Sequence, residues 1–211
     1  MHKINACTVR CQNLDFYRGS QLIFRDVSLL ATPGSILMIR GSNGSGKTSL
    51  LRLIAGFSHP QNGTIEHCFD DKIWLNGPAI GQIGWLGHKN GIKGELSILE
   101  NLALWKAAGT SADELQQILQ KLGLKNLQSQ PAHTLSAGQQ RRLALARLLV
   151  GQHPIWMMDE PSANLDKDGS RLIEQLLVEH TANNGTAIIA SHDPLHPNAP
   201  VSFIKLLCEA A

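Results

Sequence analysis

The 211-residue sequence contains no apolar run that approaches the length needed to cross a bilayer. The best stretch, Leu143 to Val150, carries Arg147 at its middle. Work at a membrane would therefore require something else as anchor. The opening Met1-His2-Lys3-Ile4-Asn5-Ala6 lacks the apolar core of a signal peptide. Cysteine is sparse: Cys7, Cys11, Cys68 and Cys208 form no C-x-x-C pair, and His67-Cys68 is an isolated dipeptide rather than half of a metal site. Reduced thiols in a cytosolic protein are the expectation. There is no strong charge excess either. Nineteen Lys and Arg against seventeen Asp and Glu leave +2, too little for the basic stripe that nucleic-acid binding demands. The nine histidines are scattered and form no tract. Repeats, low-complexity tracts and linkers are absent as well. The expectation is one compact domain, with room for a small subdomain but not for a second full domain. An apolar fraction of 43% and a charged fraction of 17% suit a globular protein.

What is present is organised around Gly41-Ser42-Asn43-Gly44-Ser45-Gly46-Lys47-Thr48, which fits G-x-x-x-x-G-K-[ST] at every defined position. Ser35-Ile36-Leu37-Met38-Ile39-Arg40 reads as a buried strand entering this loop. Thr48 to Ala55 reads as a helix leaving it, stopped by Gly56. Glycines let the backbone wrap a polyphosphate closely, and the helix N-terminus adds unpaired N–H donors and a positive dipole. Lys47 supplies a mobile charge for the β- and γ-phosphates, and the Thr48 hydroxyl a hard oxygen for Mg²⁺. The stretch implies a nucleoside triphosphate site.

Short apolar runs alternate with turns through the N-terminal third, with strands expected at Ile4 to Val9, Leu22 to Leu30 and Ile36 to Ile39. Ala31-Thr32-Pro33-Gly34 and Pro60-Gln61-Asn62-Gly63 read as turns. Thr64-Ile65-Glu66 and Ile83-Gly84-Trp85-Leu86 are further strands. From Ser97 the period becomes helical: Ile98 to Ala108, capped by Ser97 with Glu100, then Asp113 to Leu122, then about Ala137 to Val150. Strand and helix alternate again at Ile155 to Met158, Gly169 to His180, Thr186 to Ala190 and Val201 to Leu206. The pattern predicts a parallel-sheet α/β core with a helical insertion at about 95–150.

Two more stretches carry chemistry. Ile155-Trp156-Met157-Met158-Asp159-Glu160 is an apolar strand ending in two carboxylates, at the strand end where ligands bind in α/β sheets. Asp159 is placed to hold Mg²⁺ through its waters, and Glu160 to orient and deprotonate an attacking water. Taken alone, the pattern also fits an ordinary strand reaching solvent. Leu135-Ser136-Ala137-Gly138-Gln139-Gln140 opens a helix containing Arg141, Arg142 and Arg147. Its serine N-cap and free N–H groups form an anion site or a plain cap. One γ-phosphate has no need of two cradles unless they face each other across a dimer.

The phosphate loop, the L-S-x-G-Q-Q stretch, I-W-M-M-D-E, the Ser162-Ala163-Asn164-Leu165-Asp166 turn and Ala190-Ser191-His192-Asp193 together resemble the ATP-binding subunits of ABC transporters. The resemblance covers nearly the whole chain. It implies a P-loop NTPase with a mostly parallel central sheet, a small N-terminal antiparallel β subdomain and an α-helical subdomain, all within one domain over residues 1–211. It implies ATP and Mg²⁺ as cofactors and a homodimer in which Ser136 and Gly138 complete the partner copy's site. Asp166 would communicate across that dimer. His192 would contact the γ-phosphate and the water held by Glu160. Tyr17 would stack on adenine, with Phe16 the alternative, and a core aromatic is the plain reading for Tyr17.

Two departures stand out. Ala137 replaces a glycine of the usual L-S-G-G-Q, which a contact made through backbone N–H groups tolerates. His88 stands where the family carries a glutamine that touches Mg²⁺ or the lytic water. Residues Gly87 to Ser97, Glu100-Asn101-Leu102 and the arginine-rich helix after Ser136 resemble, within the family, the ATP-binding subunit of cytochrome c maturation (haem exporter) systems. That likeness implies a separate integral membrane permease subunit as partner, with membrane contact only through it, at the cytoplasmic face of a bacterial inner membrane. It implies ATP hydrolysis coupled to haem handling. Composition itself shows no haem site, since C-x-x-C-H is absent. ATPases of other small-substrate transporters, or a soluble ABC ATPase acting on ribosomes or DNA, are the alternatives.

Overall fold

The computed structural model describes residues 5–69, 72–75, 81–106, 110–163, 165–192 and 195–206. Expectations that involve residues 1–4, Ala108, Asn164, Asp193 or Cys208 fall outside the described residues. In chain order the elements are β1 (Cys7–Arg18), β2 (Gln21–Ala31), β3 (Ile36–Arg40), α1 (Lys47–Ile54), β4 (Asn62–Phe69), β5 (Lys72–Leu75), β6 (Ile83–Leu86), α2 (Ile98–Ala103), α3 (Ala112–Lys121), α4 (Ala137–Gly151), β7 (Ile155–Asp159), α5 (Lys167–Ala182), β8 (Thr186–Ala190) and β9 (Val201–Lys205). Short 3-10 turns lie at Lys125–Leu127 and Ala132–Thr134.

The strands form two sheets, an antiparallel one ordered β2-β1-β4-β5 and a parallel one ordered β6-β7-β8-β3-β9. The continuous apolar runs of β3, β7 and β8 are explained by burial on both faces. Side chains alternate between two cores. Ile36, Met38, Trp156, Met158, Ala187 and Ile189 join a cluster with residues of α4 and α5. Leu37, Ile39, Ile155, Met157, Ile188 and Ala190 join another, with α1 and the antiparallel sheet. Each Leu, Ile or Met side chain so buried contributes about 1.5–3 kcal/mol.

The expected α/β class with a parallel central sheet is the observed one. Several boundaries differ. The first strand starts at Cys7 and continues to Arg18, well past Val9. Its register with β2 shifts between Cys11 and Leu14, where Asn13 takes a left-handed φ of 49°. Such a bulge breaks the alternation that marks a strand in sequence. β5 is a strand that the apolar pattern does not predict: only one of its four residues is even half-buried, so it shows no apolar period. α2 ends at Ala103 rather than Ala108.

α4 starts at Ser136, which caps it. Ser136 Oγ accepts from Gln139 N, and Gln139 Oε1 accepts from Ser136 N at 2.9 Å. This is the reciprocal capping box, and it leaves the Ser136 hydroxyl proton available to donate. Asp166 plays the same part for α5, its carboxylate accepting from Gly169 N at 2.8 Å.

Candidate functional site

Four neighbouring strands of the parallel sheet end on the same side. Beyond β3 lies the loop 41–46, beyond β6 Gly87 and His88, beyond β8 Ser191 and His192, while β7 ends on Asp159 with Glu160 following. Carboxyl ends of adjacent parallel strands are where an open α/β sheet builds a site. Here they surround a cavity of about 290 Å³. Its walls include Asn43, Gly44, Gly46, Lys47, Thr48, His88, Asp159, Glu160 and His192.

α1 begins at Lys47 behind Gly46, whose φ of 93° lies in the left-handed region. A Cβ on Gly46 would fall 2.6 Å from Ile23 Cγ2 and 2.9 Å from Phe24 Cδ1, so side chains of β2 leave no room for one. The first N–H groups of α1 have no intrahelical acceptor and open toward the cavity. Lys47 Nζ donates to the carbonyls of Gly41 (2.9 Å) and Ser42 (3.1 Å), and stands 3.2 Å from His192 Nε2. The ammonium is thus folded back over its own loop.

Thr48 Oγ1 donates to Asp159 Oδ2 at 2.7 Å. Asp159 is buried at 2% exposure. Two hard oxygens side by side at the cavity wall fit Mg²⁺, which takes one or two protein oxygens and completes its shell with water and phosphate. Among the described residues no group of three or more His, Cys, Asp or Glu could hold a metal by itself, so the ion would depend on the nucleotide for its remaining ligands. His88 Nε2 lies 3.7 Å from the same Asp159 Oδ2, with its ring largely exposed.

The Glu160 carboxylate accepts from His192 N (3.2 and 3.1 Å) and lies within 3.3 Å of Ser191 Oγ as acceptor. His192 Nε2 is 3.8 Å from Glu160 Oε1 and also touches Asn43 Oδ1. Glu160 has a φ of 48°, a left-handed backbone that a non-glycine residue adopts at a cost of about 1–3 kcal/mol. Its N–H donates to Ala190 O at 2.8 Å, which pins the turn to β8.

Not every expected residue meets here. Gly41, Ser42 and Ser45 shape the loop without lining the cavity. Tyr17 is the penultimate residue of β1, its hydroxyl accepting from Arg25 Nη2 at 3.2 Å, and the cavity is lined by its neighbour Arg18 instead. Phe16 packs on Phe24 at a centroid distance of 5.8 Å and joins the core. Ser136 and Gly138 are also absent from the cavity, with Ser136 exposed at the start of α4. Arg18, Ile23 and Ser49 line it although no motif points to them. Arg18 Nη2 donates to Ser49 Oγ at 3.2 Å, a pairing across 31 residues with no local signal. A larger cavity of about 570 Å³ opens at the other end of the strands, near Gln82, His153, Pro154 and Trp156. Neither the phosphate loop nor Asp159 and Glu160 reach it; its carboxylates are Glu114 and Glu179.

Comparison with known proteins agrees with this geometry. Residues 24–163 match the family model described as ABC transporter. The chain is 40% identical over 190 residues to the Cytochrome c biogenesis ATP-binding export protein CcmA of Rhizobium etli, covering 87% of each chain. It is 41% identical over 187 residues to the protein of the same name from Methylococcus capsulatus, covering 87% of this chain and 90% of that one. A solved ATP binding subunit of an ABC transporter superposes with a TM-score of 0.80 over 96% of this chain and 88% of that one. At 20% identity that likeness speaks for the fold alone. This chain belongs to the ABC transporter family.

Proposed function

We propose that this chain is the ATP-hydrolysing, energy-coupling subunit of an ABC transporter that handles haem for c-type cytochrome biogenesis. The name of its 40%-identical relatives, cytochrome c biogenesis ATP-binding export proteins, supports the biological setting. The observation that carries the enzymatic reading is the meeting of Lys47, Thr48, Asp159, Glu160 and His192 at one cavity.

In this reading the loop and the first turn of α1 bind the phosphates, and Lys47 leaves the Gly41 and Ser42 carbonyls to bridge the β- and γ-oxygens. Thr48 and Asp159 would hold Mg²⁺, which supplies charge neutralisation on the phosphates when bound. Glu160 orients water and takes its proton, its carboxylate aimed by His192 N and Ser191 Oγ. His192 and His88 contact the γ-phosphate side, and Tyr17 stacks on the base from the end of β1.

Ser136 and Gly138 lie outside the cavity of their own chain, which supports a homodimer in which each copy offers the start of α4 to the other's nucleotide. No helix among the described residues is long and apolar enough to cross a membrane. Membrane work would go through a separate permease. Phe57 and Trp105 are about half exposed, Phe57 stacks edge-on against Trp85 at 5.2 Å, and Arg147 covers the Trp105 ring at 4.7 Å. We take these exposed rings as part of the permease's landing place at the cytoplasmic face of a bacterial inner membrane. The direct test is sedimentation of Glu160→Gln with Mg-ATP. The variant should shift from one copy to two as nucleotide is added, and a strictly single species at every concentration would overturn the dimer.

A further inference from the structure

Arg141 is among the largest fully buried side chains, at 2% exposure, and it lies one turn beyond the start of α4. Among the described residues, the hydrogen bonds of its guanidinium go to neutral oxygens. Nε donates to Pro161 O at 3.0 Å. Nη1 donates to Gly87 O at 2.7 Å and to Asn90 Oδ1 at 3.1 Å. Nη2 donates to Glu160 O at 2.6 Å and to Asp159 O at 3.4 Å. A guanidinium has five N–H donors, and each has an acceptor here. Burial pushes the group down to about 10, opposed by the nearby charge of Asp159, so it stays charged at neutral pH.

The acceptors belong to two segments that are far apart in sequence. Asp159 ends β7, and Glu160 and Pro161 form the turn that follows, in which Glu160 takes its left-handed φ of 48°. Gly87 and Asn90 flank His88 after β6. Such a strained turn persists only where its surroundings over-determine it, and the shortest of these bonds falls on the strained residue's own carbonyl. A buried cation bonded to carbonyls rather than to a carboxylate is a costly device for mere packing.

We propose that Arg141 is a positioning residue for hydrolysis: it holds the Glu160 turn and the His88 loop in one shared geometry, and ties both to the helix whose exposed end meets the second copy. Docking on Ser136 and Gly138 is thereby relayed, through five residues of α4, to the same chain's own Glu160 and His88. This rests on the reading of Glu160 as the base.

Arg141→Lys keeps the charge but gathers its three donors on one nitrogen, which cannot span acceptors on both segments. Turnover at saturating ATP should fall on the order of 10- to 100-fold, as misplacement of a reacting group typically costs. KM and the Kd for Mg-ATP should stay within about twofold of wild type, because Lys47 and its loop are untouched. In a Glu160→Gln background the same change should lower the residual rate little further, since both act on one step. A wild-type rate in folded Arg141→Lys, a parallel rise in KM and Kd, or an equal loss in both backgrounds would each overturn the proposal. Near-normal turnover in Glu160→Gln alone would instead overturn the base assignment, and with it the claim that Arg141 acts through Glu160. Should Arg141→Lys not fold, Asn90→Ala removes only one acceptor. A several-fold loss of kcat at unchanged KM is then expected, and an unchanged kcat overturns the proposal.

Discussion

Thr48 Oγ1 and Asp159 Oδ2 lie 2.7 Å apart, although 111 residues separate them in the chain. The bond links the first turn of α1 to the end of β7, and it brings together the two protein oxygens best suited to a hard cation. Asp159→Asn keeps the shape and removes the charge. Turnover should drop by about 10²-fold or more, and the variant should need far more Mg²⁺ for half-maximal rate. Chelation of Mg²⁺ in the wild type should stop hydrolysis while leaving weaker nucleotide binding measurable by calorimetry. An Mg²⁺ titration of Asp159→Asn that overlays the wild type would remove Asp159 from this role.

Lys47→Ala removes the only ammonium lining the cavity among the described residues. The loop would then hold the phosphates through backbone N–H groups and the helix dipole, with Arg18 the remaining cationic side chain of the wall other than the histidines. Binding of a fluorescent ATP analogue should weaken by at least about tenfold, a loss of about 1.4 kcal/mol, and hydrolysis should disappear. Retention of hydrolysis would show that the cation is not needed.

Glu160→Gln preserves the side-chain volume while removing the proton acceptor. Single-turnover hydrolysis should slow by roughly 10²–10⁴-fold, the usual worth of a general base, with ATP affinity maintained. A glutamine variant that hydrolyses at near-normal rate would place the base elsewhere.

Acid stability follows from two core histidines outside the site. Burial is the main cause that lowers His67 and His180 from 6.5 to about 4, outweighing the opposing backbone hydrogen bonds. Both are almost completely buried, and His180 stacks on Trp156 with centroids 3.9 Å apart. The unfolded chain takes up protons below pH 6.5 that the folded chain refuses until about pH 4. Their contribution is therefore whole above pH 6.5 and is lost as pH falls toward 4, by up to roughly 3 kcal/mol for each. Urea midpoints at pH 7.5 and pH 5 should differ in that direction. His67→Leu should flatten the difference, and an equally steep profile in that variant would exclude His67 as a source.

Phe57→Ser and Trp105→Ser alter exposed rings away from the cavity. ATP binding by the isolated chain should be unchanged, whereas co-purification with a co-expressed permease should fail. Full recovery of the complex by the double variant would move the landing place elsewhere on the surface.

Chemistry carried by contiguous residues is legible in the amino-acid order alone. The phosphate loop needs eight consecutive positions, a strand before them and a helix after, and all of that is local. The same holds for Ser97 and Ser136 as caps, because a cap and its partner sit three residues apart. The acidic end of β7 is readable as a strand terminus, but only the loop makes it meaningful. Where bulges or solvent compete with local rules the pattern fades, as in the long β1 and the exposed β5.

By itself, then, the order of amino acids determined which groups this protein owns: the glycines, the lysine, the capping serines and the paired carboxylates, each set by short-range sterics and hydrogen bonding. Tertiary structure alone decided which of them meet. The strand order β6-β7-β8-β3 sets His88, Asp159, Glu160, His192 and the loop side by side, because neighbours in a parallel sheet are chosen by packing of its two faces and not by closeness in the chain. It also turned Phe16 into the core, left Ser136 facing outward, and gathered five oxygens from two distant turns around Arg141. No periodicity announces that last arrangement, since all but one of those oxygens are backbone carbonyls that any residue type could have supplied.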